Sequence, residues 1–345
     1  MKRHLGMLLS VCAFCLAGCT AANLFGGDVR RDQSSGATGA VRAATARTYL
    51  YWLPLYYNIR KYQLGNKHST DYPYGEGDGT GIAVDTLGNV HECWGFGNTV
   101  AGIIVLDRKL TTTLGTIALP SGVTTNGIAV DVDGEQYLFD GNENEPPDRV
   151  AEIEVFPEGV FGSPKPERVI SGLRTHLQFN GIGTGAIVVD QKGYVYVASR
   201  ALSPSETSNI VVFAPGAKGD VAPVRELVGT KTGISNPVSL ALGADGNLYV
   251  QNRGYPTSQV LVFPTSATGN VAPRRILQAT TYSGGMALGT GGELYLGSSA
   301  TEDKNGVAIF APGASGNATP TAYLPVNTNV APPNFLALSD PWFQP

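Results

Sequence analysis

Short hydrophobic runs recur along the chain with the same polar punctuation. Ile82-Ala83-Val84-Asp85, Ile128-Ala129-Val130-Asp131, Ile187-Val188-Val189-Asp190, Leu240-Ala241-Leu242-Gly243, Met286-Ala287-Leu288-Gly289 and Leu336-Ala337-Leu338-Ser339 are six copies of one element. Counted at the residue that closes each run, the steps are 46, 59, 53, 46 and 50 residues. Runs this short, bounded by Gly and Pro, read as strands. A tight turn follows each, as in Asp85-Thr86-Leu87-Gly88-Asn89, Asp131-Val132-Asp133-Gly134 and Asp190-Gln191-Lys192-Gly193. Gly supplies the positive φ of a short hairpin, and Asp hydrogen-bonds the turn backbone. A second, alternating strand comes next, such as Tyr194-Val195-Tyr196-Val197. The third is an apolar run: Ile153-Glu154-Val155-Phe156, Ile210–Phe213, Val260–Phe263 or Val307–Phe310. A Pro/Gly turn at Ala214–Pro223, with close copies at Pro264–Pro273 and Ala311–Pro320, leads to an outer strand such as Arg225–Val228.

Four strands in a repeat of roughly 50 residues are the blade of a β-propeller. The expected architecture is all-β, a six-bladed β-propeller over residues 47–345. The ends indicate how the ring closes. Asn58–Gly65 lines up with Asn209–Gly216, which places Tyr49 to Trp52 at the second-strand position. The N-terminal part then supplies three outer strands of a blade whose inner strand, Phe335–Ser339, comes from the far end of the chain. Such closure removes exposed sheet edges.

The order Ile-Ala-Val-Asp, Gly-Asn, Tyr-Val and then Val-x-Val-Phe resembles the NHL-repeat propellers. More loosely, it is similar to the six-bladed group that includes gluconolactonase-type enzymes and streptogramin lyases. The resemblance covers about residues 48–340. It implies the fold well and function poorly, because such propellers host binding, scaffolding, hydrolysis and lyase chemistry.

Residues 1–18 read as a targeting segment, with Lys2 and Arg3 ahead of an apolar run from Leu5 to Leu16. The segment ends in Leu16-Ala17-Gly18-Cys19, which resembles the lipobox of bacterial lipoproteins. The resemblance implies cleavage before Cys19 and a lipid on its thiol, which holds the protein at a membrane by acyl chains. Residues 19–46 are small and polar without an apolar period, as expected of a flexible tether. Thr20 stands where an Asp would resemble an inner-membrane retention signal, so the expected location is the cell envelope, at the outer membrane or cell surface. Cys12 and Cys15 leave with the signal, so Cys93 is the one thiol left and is expected buried and inert. Without residues 1–18 the chain carries 22 basic and 28 acidic residues, a net charge of −6. That balance argues against nucleic acid as a partner.

Propeller ligands usually sit at the mouth built by loops that lead into the inner strands and by loops between strands two and three. Candidate binding residues there are Trp94, Asn126, Asn236, Tyr255, Tyr282 and Asn334, with Phe96 as a further aromatic. Aromatic rings with a polar tip suit sugars and peptides. The gluconolactonase resemblance implies a divalent ion held by Glu, Asn and Asp at the mouth. Asn126, Asn236 and Asn334 lie near matching places, but no Glu opens the first inner strand. Asp85, Asp131 and Asp190 fall at the opposite ends and read as hairpin stabilisers. Asp140, Glu143, Glu145 and Asp148 form an acidic loop in which calcium is weighed against simple solvation. A lyase-like mechanism would recruit His176 as base; His68 and His91 are the other histidines of the mature chain. Gly181-Ile182-Gly183-Thr184-Gly185 mimics a dinucleotide fingerprint but precedes a strand instead of opening a helix, so it is rejected. The reading is a non-enzymatic binding or scaffold module for a protein, peptide or glycan, acting as a monomer without a cofactor. The alternative is a divalent-metal-dependent hydrolase or lyase.

Overall fold

The computed structural model describes residues 48–54, 59–64, 69–71, 79–95, 101–142, 151–178, 186–201, 207–254, 258–279, 284–300, 304–325 and 333–339. These form six four-stranded antiparallel sheets, the blades of a β-propeller. Blade 1 comprises Gly79–Val84, Val90–Trp94, Gly102–Leu106 and Thr113–Ala118. Blade 2 comprises Val123–Val130, Gln136–Asn142, Ala151–Phe156 and Arg168–Ser171. Blade 3 runs through Ala186–Val189, Val195–Ser199, Asn209–Phe213 and Arg225–Leu227. Blade 4 runs through Pro237–Leu242, Asn247–Asn252, Ser258–Pro264 and Arg275–Ala279. Blade 5 uses Met286–Leu288, Leu294–Ala300, Lys304–Phe310 and Ala322–Pro325. Blade 6 takes its inner strand from Pro333–Leu338 and its outer three from Tyr49–Pro54, Arg60–Gln63 and Ser69–Asp71.

The six repeats therefore become six blades, and the ring closes as the sequence indicates. In blade 6 the pairs are Leu50 with Leu338, Tyr51 with Ala337, Trp52 with Leu336 and Leu53 with Phe335. Alternation along each strand sends side chains to opposite faces, so each blade packs on two neighbours. Even-numbered positions of blade 1, Ile82, Val84, Val90, Ile104 and Leu106, meet Tyr51, Leu53 and Ile59 of blade 6. Odd-numbered positions, Cys93, Ile103, Val105 and Ile117, meet Ile128, Leu138 and Phe156 of blade 2. Cys93 is buried as expected, and burial pushes its thiol up to about 12.

The turns carry the predicted chemistry. Asp131 Oδ1 accepts the N–H groups of Asp133 and Glu135 at 3.0 and 2.9 Å, and Asp190 Oδ1 those of Lys192 and Tyr194 at 2.9 Å each. Asp85 Oδ1 does the same for Leu87 and Asn89. Gly134 has φ 82°, a conformation that an L side chain adopts only with strain. The closing blade repeats this pattern across the break in the chain. The Ser339 N–H bonds to the Tyr49 carbonyl, and the Tyr49 N–H bonds to Ser339 Oγ, both at 2.8 Å.

Deleting residues 335–345 removes most of the inner strand of blade 6 and exposes Leu50, Trp52 and Leu53. The deletion should abolish the cooperative thermal transition seen by calorimetry, whereas Ser339→Ala should cost only about 1 kcal/mol. A truncated chain that still melts cooperatively would disprove closure by this strand.

Candidate functional site

The inner strands surround an axial channel of about 170 Å³. Its walls are aliphatic, represented by Ile82, Ile128, Ile187, Leu240, Met286 and Leu336, and its polar lining side chains are Ser239 and Gln191. None of the described lining residues is titratable. The inner strands are irregular at their leading ends. Thr80, Asn126, Val238 and Asn334 are each skipped by the pairing with the second strand. Each is a β-bulge, a device that re-aims a side chain where pairing is interrupted.

Two of the expected mouth residues, Asn126 and Asn334, are therefore bulged residues. Asn236 differs, lying one position before its inner strand and two positions before the corresponding bulge at Val238. Its N–H donates to Asn252 Oδ1 at 2.8 Å and its carbonyl accepts from the Arg253 N–H. Asn126 is only 1% exposed, yet its Oδ1 has no hydrogen-bond partner among the described residues, and neither has the buried Oδ1 of Asn236. Asn334 packs against the backbone of Gly284 in the segment that leads into blade 5. Trp94 lies over Gly102, where an added Cβ would meet its ring at 2.8 Å, and joins the apolar seam between blades 6 and 1. Cys19, His68, Phe96, Glu143, Glu145, Asp148, Gly181–Gly185, Tyr255 and Tyr282 fall outside the described residues, as do the signal and tether segments.

His176 is half-exposed, follows a single 3-10 turn, and pairs with Glu226 at 3.0 Å. His91 is buried between Gln136 of blade 2 and Asp85 of its own turn. Tyr137, Tyr196 and Tyr249 occupy the His91 position in blades 2 to 4. Each hydroxyl donates to a turn aspartate, Asp131, Asp190 or Asp245, and accepts from an outer-strand arginine, Arg168, Arg225 or Arg275. These clasps tie turn to outer strand and are structural.

Sequence reasoning passed over one cluster. Asp140, on the second strand of blade 2, pairs with Glu152 on the third, and Glu154 lies two residues further on. Their carboxylate oxygens come within 4.8 Å of one another. Alternation puts all three on the face that carries Leu138 and Phe156, in the seam with blade 1. Burial first, then Glu154 and Glu152, raises the Asp140 carboxyl far above its ordinary range. Burial, then Glu152, lifts Glu154 to about 7. Among the described residues of blade 1, the titratable groups in this seam are the neutral Cys93 thiol and, toward the turns, His91 with Asp85. A separate buried acid, Glu92, is lifted by burial to about 8 on the opposite face of blade 1.

No protein-family model matches the sequence, and no curated protein matches it. Solved structures do resemble the fold. A protein of unknown function from Bacteroides caccae superposes with TM-score 0.59 at 14% identity, covering 84% of this chain and 98% of its own. A chain in the crystal structure of a mitotic checkpoint complex gives TM-score 0.52 at 9% identity, covering 84% of this chain and 80% of its own. At such identities the likeness shows the propeller fold and nothing finer.

Because the clustered carboxyls are harder to ionise when folded, the unfolded chain loses its protons first as pH rises from about 4. Stability in buffer free of divalent ions should then fall from about pH 4.5, and the share due to Glu154 should level off once it ionises in the folded chain at about pH 7. Glu154→Val should flatten that decline in a calorimetric pH series. An identical slope in the variant would show that the cluster does not titrate as described.

Proposed function

We propose that this chain is an exported, Cys19-anchored lipoprotein whose NHL-like propeller binds a protein, peptide or glycan at the bacterial envelope. The observation that carries the reading is the contrast between rim and channel. At the rim, Asn126 and Asn236 hold buried carbonyl oxygens that no group among the described residues satisfies. Buried polar atoms are normally paired, so such acceptors suit donors from water or from a bound molecule. Beneath them the channel is aliphatic, which suits recognition better than acid–base chemistry. The lipobox at Leu16–Cys19 supplies the address. Lipid-anchored binding modules work by being held close to a surface-bound partner, which raises effective concentration.

Two experiments test the halves separately. Cys19→Ala should abolish incorporation of labelled palmitate and release the protein from membrane fractions; retained label would refute anchoring at that residue. Asn126→Ala combined with Asn334→Ala should weaken binding in an array of envelope peptides and glycans by about tenfold or more, which corresponds to roughly 1.4 kcal/mol. The melting temperature should stay within a few degrees of the parent. Turnover of lactone substrates by the parent protein would favour the hydrolase reading instead.

A further inference from the structure

We propose that Asp140, Glu152 and Glu154 form a calcium site in the seam between blades 2 and 1, away from the channel and independent of any ligand at the mouth. The repeat itself shows how unusual this cluster is. Glu154 pairs with Leu138, and the residues at the same register are Ile104, Val211, Leu261 and Ala308 in blades 1, 3, 4 and 5. All four are buried aliphatic groups. Only the closing blade also departs, with Arg60 opposite Trp52. Blade 2 thus exchanges a core aliphatic for an acid at a position whose neighbours are apolar.

Asp140 departs in a second way. Its counterparts in the next two blades secure the segment that leads into the inner strand. Ser199 Oγ accepts the N–H of Gln178 at 3.2 Å, and Asn252 Oδ1 accepts those of Ser235 and Asn236 at 2.9 and 2.8 Å. Asp140 has no such duty. At 1% exposure, neither of its carboxylate oxygens has a hydrogen-bond partner among the described residues, and neither has Glu154 Oε2. Glu152, with interactions of its own, sits directly opposite Asp140. Like charges directly opposite on adjacent strands destabilise a sheet, and a buried unpaired charge costs far more.

A divalent cation reverses the sign of every one of those repulsions. Three carboxylates and no imidazole or thiolate in the ligand group make an all-oxygen donor set, which selects a hard ion. Calcium takes six to eight oxygens in adaptable geometry, from carboxylates in one- or two-oxygen mode together with water. Magnesium demands a near-ideal octahedron and usually binds fewer carboxylates. The ion would join strands two and three of blade 2 on the face that receives blade 1. Its role is therefore to relieve the carboxylate repulsion inside blade 2 so that this face can pack against blade 1.

The test uses the full-length protein, stripped with EDTA and held at pH 8, titrated with CaCl2 alone. One equivalent should bind saturably by calorimetry, raising the melting temperature by about 5 °C at saturation. At pH 5, protonation of the carboxyls should weaken binding at least tenfold. Asp140→Ser with Glu154→Val installs the residues that blade 3 uses at these positions, Ser199 and Val211. This variant should melt cooperatively without calcium and show no response to it. If it does not fold, the near-isosteric Asp140→Asn should still fold and bind calcium at least tenfold more weakly. Neither heat nor a melting shift in the parent protein up to about 10 mM calcium, well above the weakest ordinary sites, would overturn the proposal. Undiminished binding in the folded variants, or a preference for Zn²⁺, would do so equally.

Discussion

The ring depends on a hairpin whose turn is missing. In blades 1 to 3 the residue that closes the inner strand, Asp85, Asp131 or Asp190, donates its N–H to the carbonyl of the residue four positions on, and its side chain accepts that residue's N–H. In the closing blade Ser339 stands in the aspartate's place and Tyr49 in that of the residue four on, so the same two contacts form without a covalent link. Every other blade is held by its own short loops. Here the inner strand meets the outer three across a sequence separation of 290 residues, so its loop-closure entropy is met by pairing and by packing of Leu50, Trp52, Leu336 and Leu338. Without it, blades 5 and 1 would each present an uncovered apolar face.

The seams follow from this. Alternation along each strand sends one set of side chains clockwise and the other anticlockwise, so blades are glued by aliphatic stripes rather than by a common centre. The tyrosine clasps of blades 2 to 4 add a polar rivet at the turn end of each sheet, with guanidinium groups 5.5 to 5.8 Å from the tyrosine ring centroids. Parallel bridges at Ile117–Gly162, Ile170–Gly219, Leu227–Gly269 and Leu277–Gly316 then engage the outer strands of blades 1 to 4 with the loop of the following blade. Those contacts occupy part of the outer edge that would otherwise pair with another chain.

The repeat made the architecture legible because a propeller blade is a local object: four strands, their turns and their spacing all lie within about 50 consecutive residues. Even the closing blade could be placed, since Asn58–Gly65 keeps the same register as Asn209–Gly216. Turn aspartates were readable for the same reason. The bulges were not, because whether Asn126 or Val238 is skipped depends on pairing geometry that no residue type encodes. That is why Asn236 looked equivalent to Asn126 and is not. The acidic cluster was half visible. Glu154 stood in a run otherwise made of Ile, Val and Phe, but its meaning needed the partner across the strand. The sequence alone drew Asp140 toward Glu143, Glu145 and Asp148 along the chain, whereas the sheet pairs it with Glu152.

The placement of Tyr49 against Ser339 has a mechanical consequence. Tyr49 and Ser339 lie side by side at one end of two antiparallel strands. A pull that separates them acts across the hydrogen bonds one at a time, like a zipper, instead of shearing them all together. Tension carried through the N-terminal segment would therefore open the molecule first at the closing blade, while the five loop-joined blades are still intact. The closing blade is thus the place where the ring yields first to such a load.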